Sequence, residues 1–141
     1  MSTLYTASAT ASGDGRNGHV RSSDGVLDFD LAVPKEMGGP GGAHSNPEQL
    51  FAAGYAACFH SAIKAVARQQ KVTLADTAVT VDIGISPKTD GTPGLQLDAT
   101  IEAEINGVDE TTAQQLIEAA HQLCPYSQAT RGNIEVKLSV A

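Results

Sequence analysis

Apolar and polar residues alternate strictly along "VLDFDLAV" (residues 26–33) and loosely along "LYTASATA" (residues 4–11). Period-two alternation sends successive side chains to opposite faces of an extended chain, so both segments predict half-buried strands. The turn-rich "SGDGRNG" (12–18) between them makes the opening an antiparallel meander. Next, "PKEMGGPGGAHS" (34–45) carries four glycines and two prolines and predicts a loop without regular structure. A helix follows, because Asn46 can cap, Pro47 suits the first helical position, Glu48 complements the positive helix end and Gln49 can complete a capping box. From Leu50 to Ile63 almost every side chain is apolar or small. That pattern predicts a helix enclosed on most sides, and a second subunit would help to cover it.

Alternation returns in "AVTVDIGIS" (78–86) and "LQLDATIEAEIN" (95–106), two strands of a hairpin joined by "PKTDGTPG". In "DETTAQQLIEAAHQL" (109–123) the apolar spacing of Ala113, Leu116, Ile117, Ala120 and Leu123 predicts an amphipathic helix, capped by Asp109 and ended by Pro125. The closing "NIEVKLSV" (133–140) reads as a last strand. The resulting order, βββαββαβ, describes an α+β fold with antiparallel sheets around a long buried central helix.

Composition bounds the fold and excludes several partners. A chain of 141 residues with 41% hydrophobic content and no internal repeat is long enough for one domain, residues 1–141, burying about two-thirds of its unfolded surface. Short apolar runs and an N-terminus without a basic start or apolar core point away from a membrane span or secretory signal and towards the cytoplasm. The net charge of −7, with no basic cluster, points away from nucleic acid.

Two cysteines, Cys58 within the apolar helix and Cys124 at the end of the second helix, change this picture. A thiolate attacks peroxide oxygen to form a sulfenic acid, and a second thiol converts that species to a disulfide before irreversible oxidation. In a reducing compartment such a pair serves better as a transient catalytic disulfide than as a staple. Inert buried thiols are the other reading. Desolvation disfavours a thiolate in an apolar helix, so catalysis requires a fixed cation, for which Arg16 in "DGRNG" is a candidate. Phe51, Tyr55, Phe59 and Met37 suit either core packing or a pocket for an alkyl tail.

Rival chemistries are weaker. "CPYS" (124–127) is similar to a glutaredoxin tetrapeptide, but here the cysteine follows a helix and no βαβ unit precedes it. His121, Cys124 and Cys58 offer three ligands to a thiophilic metal, which keeps a non-catalytic metal-binding or small-molecule module open as an alternative. His60, two residues along the helix from Cys58, points about 200° away from it. His19 and His44 lie in polar, turn-rich segments and are expected to be solvated. "GGPGG" lacks the Lys and Ser or Thr of a phosphate-binding loop and reads as a flexible connection.

Taken together, "GRNGHVRSSDG", "GGPGG", "NPEQLFAAGYAACF" and "CPYSQATRGNIEV" resemble the organic hydroperoxide resistance proteins, a branch of the larger family that also contains the osmotically inducible peroxidases. Four separated motifs recur in the family's order and spacing, nearly end to end. The resemblance implies that Cys58 attacks the peroxide, Cys124 resolves it, Arg16 contacts the reactive sulfur and Glu48 holds the arginine. It also implies an intertwined homodimer with two sites at the subunit interface, no bound cofactor, and reduction by a lipoyl dithiol, either dihydrolipoamide or a lipoylated protein. Helix geometry adds a constraint. Glu48 and Cys58 are ten residues apart, a rise of about 15 Å with directions differing by about 80° on a straight helix, which excludes direct contact within one chain. Each site is therefore expected to combine Cys58 and Cys124 of one chain with at least one of Arg16 and Glu48 from the other.

Overall fold

Strand β1 (Ala9–Ser12), β2 (His19–Ser22) and β3 (Asp28–Asp30) precede helix α1 (Pro47–Gln69), and β4 (Thr77–Pro87), β5 (Leu95–Ile105), α2 (Glu110–Leu123), α3 (Pro125–Thr130) and β6 (Val136–Val140) follow it. This computed structural model describes residues 2–141. Its backbone divides into two compact units, Met1–Leu50 and Phe51–Ala141. The α+β class and the element order agree with the expected βββαββαβ, with α3 added and with the third early strand at His19–Ser22, where the alternation marks no strand.

In the first unit β1, β2 and β3 form an antiparallel sheet in that order. Opposite charges meet across β2 and β3, where His19 faces Asp30 and Arg21 faces Asp28, while Val20 faces Phe29 on the other side. The strands are shorter than the alternation suggested, and residues 4–8 and 26–27 lie outside them. Nor are they half-buried, since every position of β1 and β3 is exposed. Between β1 and β2 the chain turns through a short 3-10 segment, Gly15–Asn17, which presents Arg16. The turn needs Gly18, because a Cβ there would sit 2.3 Å from the Ser12 carbonyl oxygen. Beyond β3, the glycine loop is a folded turn instead of a loose connection. The N–H groups of Gly39 and Gly41 donate to the carbonyls of Pro34 and Val33, each at 3.0 Å.

Helix α1 begins as its signals require, with the Gln49 N–H donating to the Asn46 side chain at 2.8 Å. Gln49 contributes its backbone here. The expectation of a helix enclosed on most sides needs correction. Tyr55, Phe59, Ala62, Ile63, Val66 and Ala67 are buried, whereas Ala53, Ala57, Ser61 and Lys64 form an exposed stripe. By length and composition α1 could cross a membrane, yet its buried face is built into the core of the second unit.

That core is assembled from alternating Ala99, Ile101, Ala103 and Ile105 of β5, the α1 face, and Ala113, Leu116, Ile117 and Ala120 of α2. Burying each large aliphatic or aromatic side chain contributes about 1.5–3 kcal/mol. Leu123, expected on the same face, is 45% exposed. The second sheet has the order β4-β5-β6 and is mixed. β4 pairs antiparallel with β5 as a hairpin, but β6 pairs parallel with β5, so the expectation of purely antiparallel sheets fails at this strand. An intervening helical connection makes parallel pairing accessible, and α2 and α3 provide it.

Candidate active site

Cys58 and Cys124 are free thiols, the first partly buried and the second fully buried. Their sulfurs lie 3.3 Å apart, with the Cys124 thiol donating to Cys58 Sγ. A disulfide bond measures about 2.05 Å, so forming one requires a closure of about 1.3 Å. Cys124 occupies the single extended residue between α2 and α3, serving as the last cap of one and the first of the other. It therefore precedes a helix as well as following one, which corrects the sequence reading of "CPYS". Pro125 is the reason, since it ends α2 and suits the first position of α3. Burial pushes the Cys58 thiol above its ordinary value, the Tyr126 backbone N–H opposes that shift, and the neighbouring Cys124 adds to it. Within the second unit the thiol is thus held largely protonated.

Arg16 and Glu48 form a second pair, in the first unit. Nη1 of Arg16 donates to both carboxylate oxygens of Glu48, at 2.8 and 3.0 Å. Glu48 is the second residue of α1, so its charge also faces the positive helix end. Its side chain is 14% exposed and that of Arg16 40%. With Nη1 engaged, the Nε and Nη2 donors of Arg16 are left for another acceptor. The four residues singled out in the sequence thus come together as two pairs, one in each compact unit.

A family model described as OsmC-like protein matches residues 39–139. An organic hydroperoxide resistance protein of Xanthomonas axonopodis pv. citri is 50% identical over 139 residues, covering 98% of this chain and 95% of its own. The chain belongs to this family. Two crystal structures of family members superpose over nearly their whole length. One is an organic hydroperoxide resistance protein OsmC from Legionella pneumophila, with a TM-score of 0.92, 49% identity and 99% of each chain covered. The other, from Elizabethkingia anophelis, has a TM-score of 0.92 and 53% identity, covering 100% of this chain and 99% of that one.

In this member of the family the aromatic residues divide by burial. Tyr55 and Phe59 are fully buried in the core, whereas Phe51 and Tyr126 are partly exposed. Phe51, Tyr55 and Tyr126 form a cluster with ring centroids 5.7–6.2 Å apart. Tyr126 lies over Gly54, where a Cβ would come within 2.6 Å of its hydroxyl. Met37 is 38% exposed in the first unit. The histidines are occupied elsewhere. His60 Nε2 bonds Thr77 Oγ1 at 2.7 Å, and His121 Nδ1 bonds Ser127 Oγ at 2.8 Å. His19, expected to be simply solvated, is held on β2 between Asp28 and Asp30. Among the described residues no group of three His, Cys, Asp or Glu side chains is arranged to hold a metal. Sequence reasoning overlooked Ser127 and the backbone N–H of Tyr126. Both lie within "CPYS", and the signal for them is Pro125, which favours the first position of a new helix as much as it ends the preceding one.

Proposed function

We propose that this protein is a cysteine-based peroxidase that reduces organic hydroperoxides to alcohols and so serves organic hydroperoxide resistance. The observation that carries the reading is the pair of free thiols 3.3 Å apart in a chain of this family. The Cys58 thiolate attacks the outer peroxide oxygen. An S–O bond forms, the O–O bond breaks, and the alkoxide leaves and takes up a proton as the alcohol. Sulfur is oxidised by two electrons and the peroxide is reduced by two. Cys124 then attacks the sulfenic sulfur, forming the disulfide and expelling hydroxide, which leaves as water with the proton of Cys124. An external dithiol, of lipoyl type, returns both thiols by exchange and becomes a disulfide itself. Arg16 supplies the cation that the buried thiolate lacks and stabilises charge on the departing oxygen, while Glu48 orients the guanidinium.

The working form in this proposal is a homodimer in the cytoplasm, with no bound cofactor. Support for the dimer comes from the uncovered apolar residues of the first unit, Leu4, Tyr5, Val26, Leu27 and Phe29, and from the exposed stripe of α1. Alkyl and aryl hydroperoxides are preferred over hydrogen peroxide, because only they carry apolar surface to bury, at about 25 cal/mol per Å². The test is thiol counting after anaerobic reduction, before and after one equivalent of cumene hydroperoxide. Loss of both thiols with release of the alcohol is expected. Unchanged thiols, with stoichiometric metal in the protein as isolated, would replace this reading with that of a metal-binding module.

A further inference from the structure

Behind the two thiols runs a chain of buried hydrogen bonds. Thr130 Oγ1 lies 3.3 Å from the Ser127 carbonyl oxygen and 3.0 Å from the Tyr55 hydroxyl. The Tyr55 hydroxyl also bonds Ser127 Oγ at 2.8 Å, and Ser127 Oγ bonds His121 Nδ1 at 2.8 Å. Tyr55 and Ser127 are fully buried, and Thr130 is 4% exposed. Among the described residues no buried side-chain polar atom lacks a partner.

The chain's position relative to the cysteines is what gives it a role. Tyr55 stands three residues before Cys58 on α1, and Ser127 stands three residues after Cys124 at the start of α3. His121 stands three residues before Cys124, in the last turn of α2, so its bond to Ser127 spans the α2–α3 junction that holds the thiol. Arg131, just beyond α3, clamps the same junction by donating from Nη1 to the His121 carbonyl at 2.8 Å. Each sulfur is thus one helical turn from the Tyr55–Ser127 bond, which ties α1 to α3 from the core side.

We infer that Tyr55, Ser127 and His121 are positioning residues that hold α1 and α3 in register and thereby set the distance at which Cys124 meets oxidised Cys58. This rests on the proposed peroxidase reading and adds to it the control of the second step. The balance at stake is between two fates of the sulfenic acid. Attack by Cys124 gives the disulfide and water, whereas attack on a second hydroperoxide gives the sulfinic acid and another alcohol. A fixed register favours the first, because it presents Cys124 at high effective concentration without further ordering of the chain.

Tyr55→Phe and Ser127→Ala each remove one hydroxyl of the chain while keeping most of the packing. Equilibration of the Cys58–Cys124 pair with a glutathione redox buffer reads effective concentration without peroxide, and so does not depend on the peroxidase reading. Each variant breaks the Tyr55–Ser127 bond and one other, to Thr130 or to His121, and is expected to lower the disulfide's formation constant at least about threefold. The double variant should lower it by less than the product of the two single effects, since both break the Tyr55–Ser127 bond. Under repeated peroxide challenge the variants should yield more sulfinic acid per disulfide than the wild type. Thr77→Val, which removes a different hydrogen bond of α1, should leave the constant within error. A constant unchanged in Tyr55→Phe, or lowered equally by Thr77→Val, would overturn the positioning role. Wild-type protein that formed the disulfide in the buffer but consumed no hydroperoxide would instead overturn the peroxidase reading alone.

Discussion

A thiol raised by burial is a poor nucleophile at neutral pH, and Cys58 is such a thiol within its own unit. If Arg16 supplies the missing positive charge, Arg16→Ala should push the pH midpoint of Cys58 alkylation upward by at least about one unit. Iodoacetamide labelling of reduced protein in a Cys124→Ser background measures this directly, and coincident profiles with and without Arg16 would remove the arginine from thiolate stabilisation. The two cysteines should also fail differently. Cys58→Ser should abolish hydroperoxide consumption, while Cys124→Ser should react once and then accumulate sulfinic acid at Cys58. Intact-mass spectrometry after stepwise addition of cumene hydroperoxide separates them. Sustained turnover by Cys124→Ser with a dithiol reductant would exclude a resolving role.

At the scale of the element, the first sheet carries a titratable clasp. His19 on β2 bonds Asp30 and Asp28 on β3, Arg21 approaches Asp28 at 3.6 Å, and His44 acts on Asp30 from the following loop. Hydrogen bonds to Asp30 and then Asp28 raise the His19 pKa above 6.5, while the bond to His19 lowers that of Asp30 below 3.8. The signs are opposite. His19 contributes stability that is fully present below its unfolded value and lost as pH rises through the higher folded one. Asp30 contributes stability that is present above its unfolded value and lost as pH falls through the lower folded one. The clasp is therefore strongest in the mildly acidic window between the two. Thermal unfolding as a function of pH should show His19→Asn losing part of the wild-type decline as pH rises above about 6.5. Parallel curves for the two proteins would mean that the clasp adds nothing at this exposed position.

For the whole molecule, the Arg16–Glu48 pair restricts how any shared site can be built. Because the two are joined within one chain at 2.8 Å, a partner subunit that supplied one would supply both. If each proposed site draws this pair from the other chain, mixing inactive Cys58→Ser subunits with inactive Arg16→Ala subunits should restore one intact site in each heterodimer. The same recovery is expected with Glu48→Ala in place of Arg16→Ala, though weaker loss is expected of Glu48→Ala itself, since it orients the cation without carrying the charge. Activity measured after verified subunit exchange decides the matter. Silence in both mixtures would confine each site to one chain.

What the sequence determined by itself was local. Period-two alternation located β4 and β5, apolar helical spacing located α2, and Asn46 and Pro47 located the start of α1, because these signals act between residues a few positions apart. It also singled out the two thiols and Arg16 as candidate chemistry, and four motifs with family spacing carried the resemblance that the relatives bear out. Tertiary structure decided the rest. The alternation of residues 133–140 is the same for parallel and antiparallel pairing, so only the path of the chain through α2 and α3 fixed β6 beside β5 in parallel. Ala53 and Ala57 on the exposed stripe of α1 are as small and apolar as Ala62 and Ala67 on its buried face, and packing chose between them. Thiols 66 residues apart in sequence reach 3.3 Å because α1 and the α2–α3 junction pack into one core. Tyr55 and Ser127, 72 residues apart, become partners for the same reason, and no pattern confined to neighbours along the chain encodes a distance of that kind.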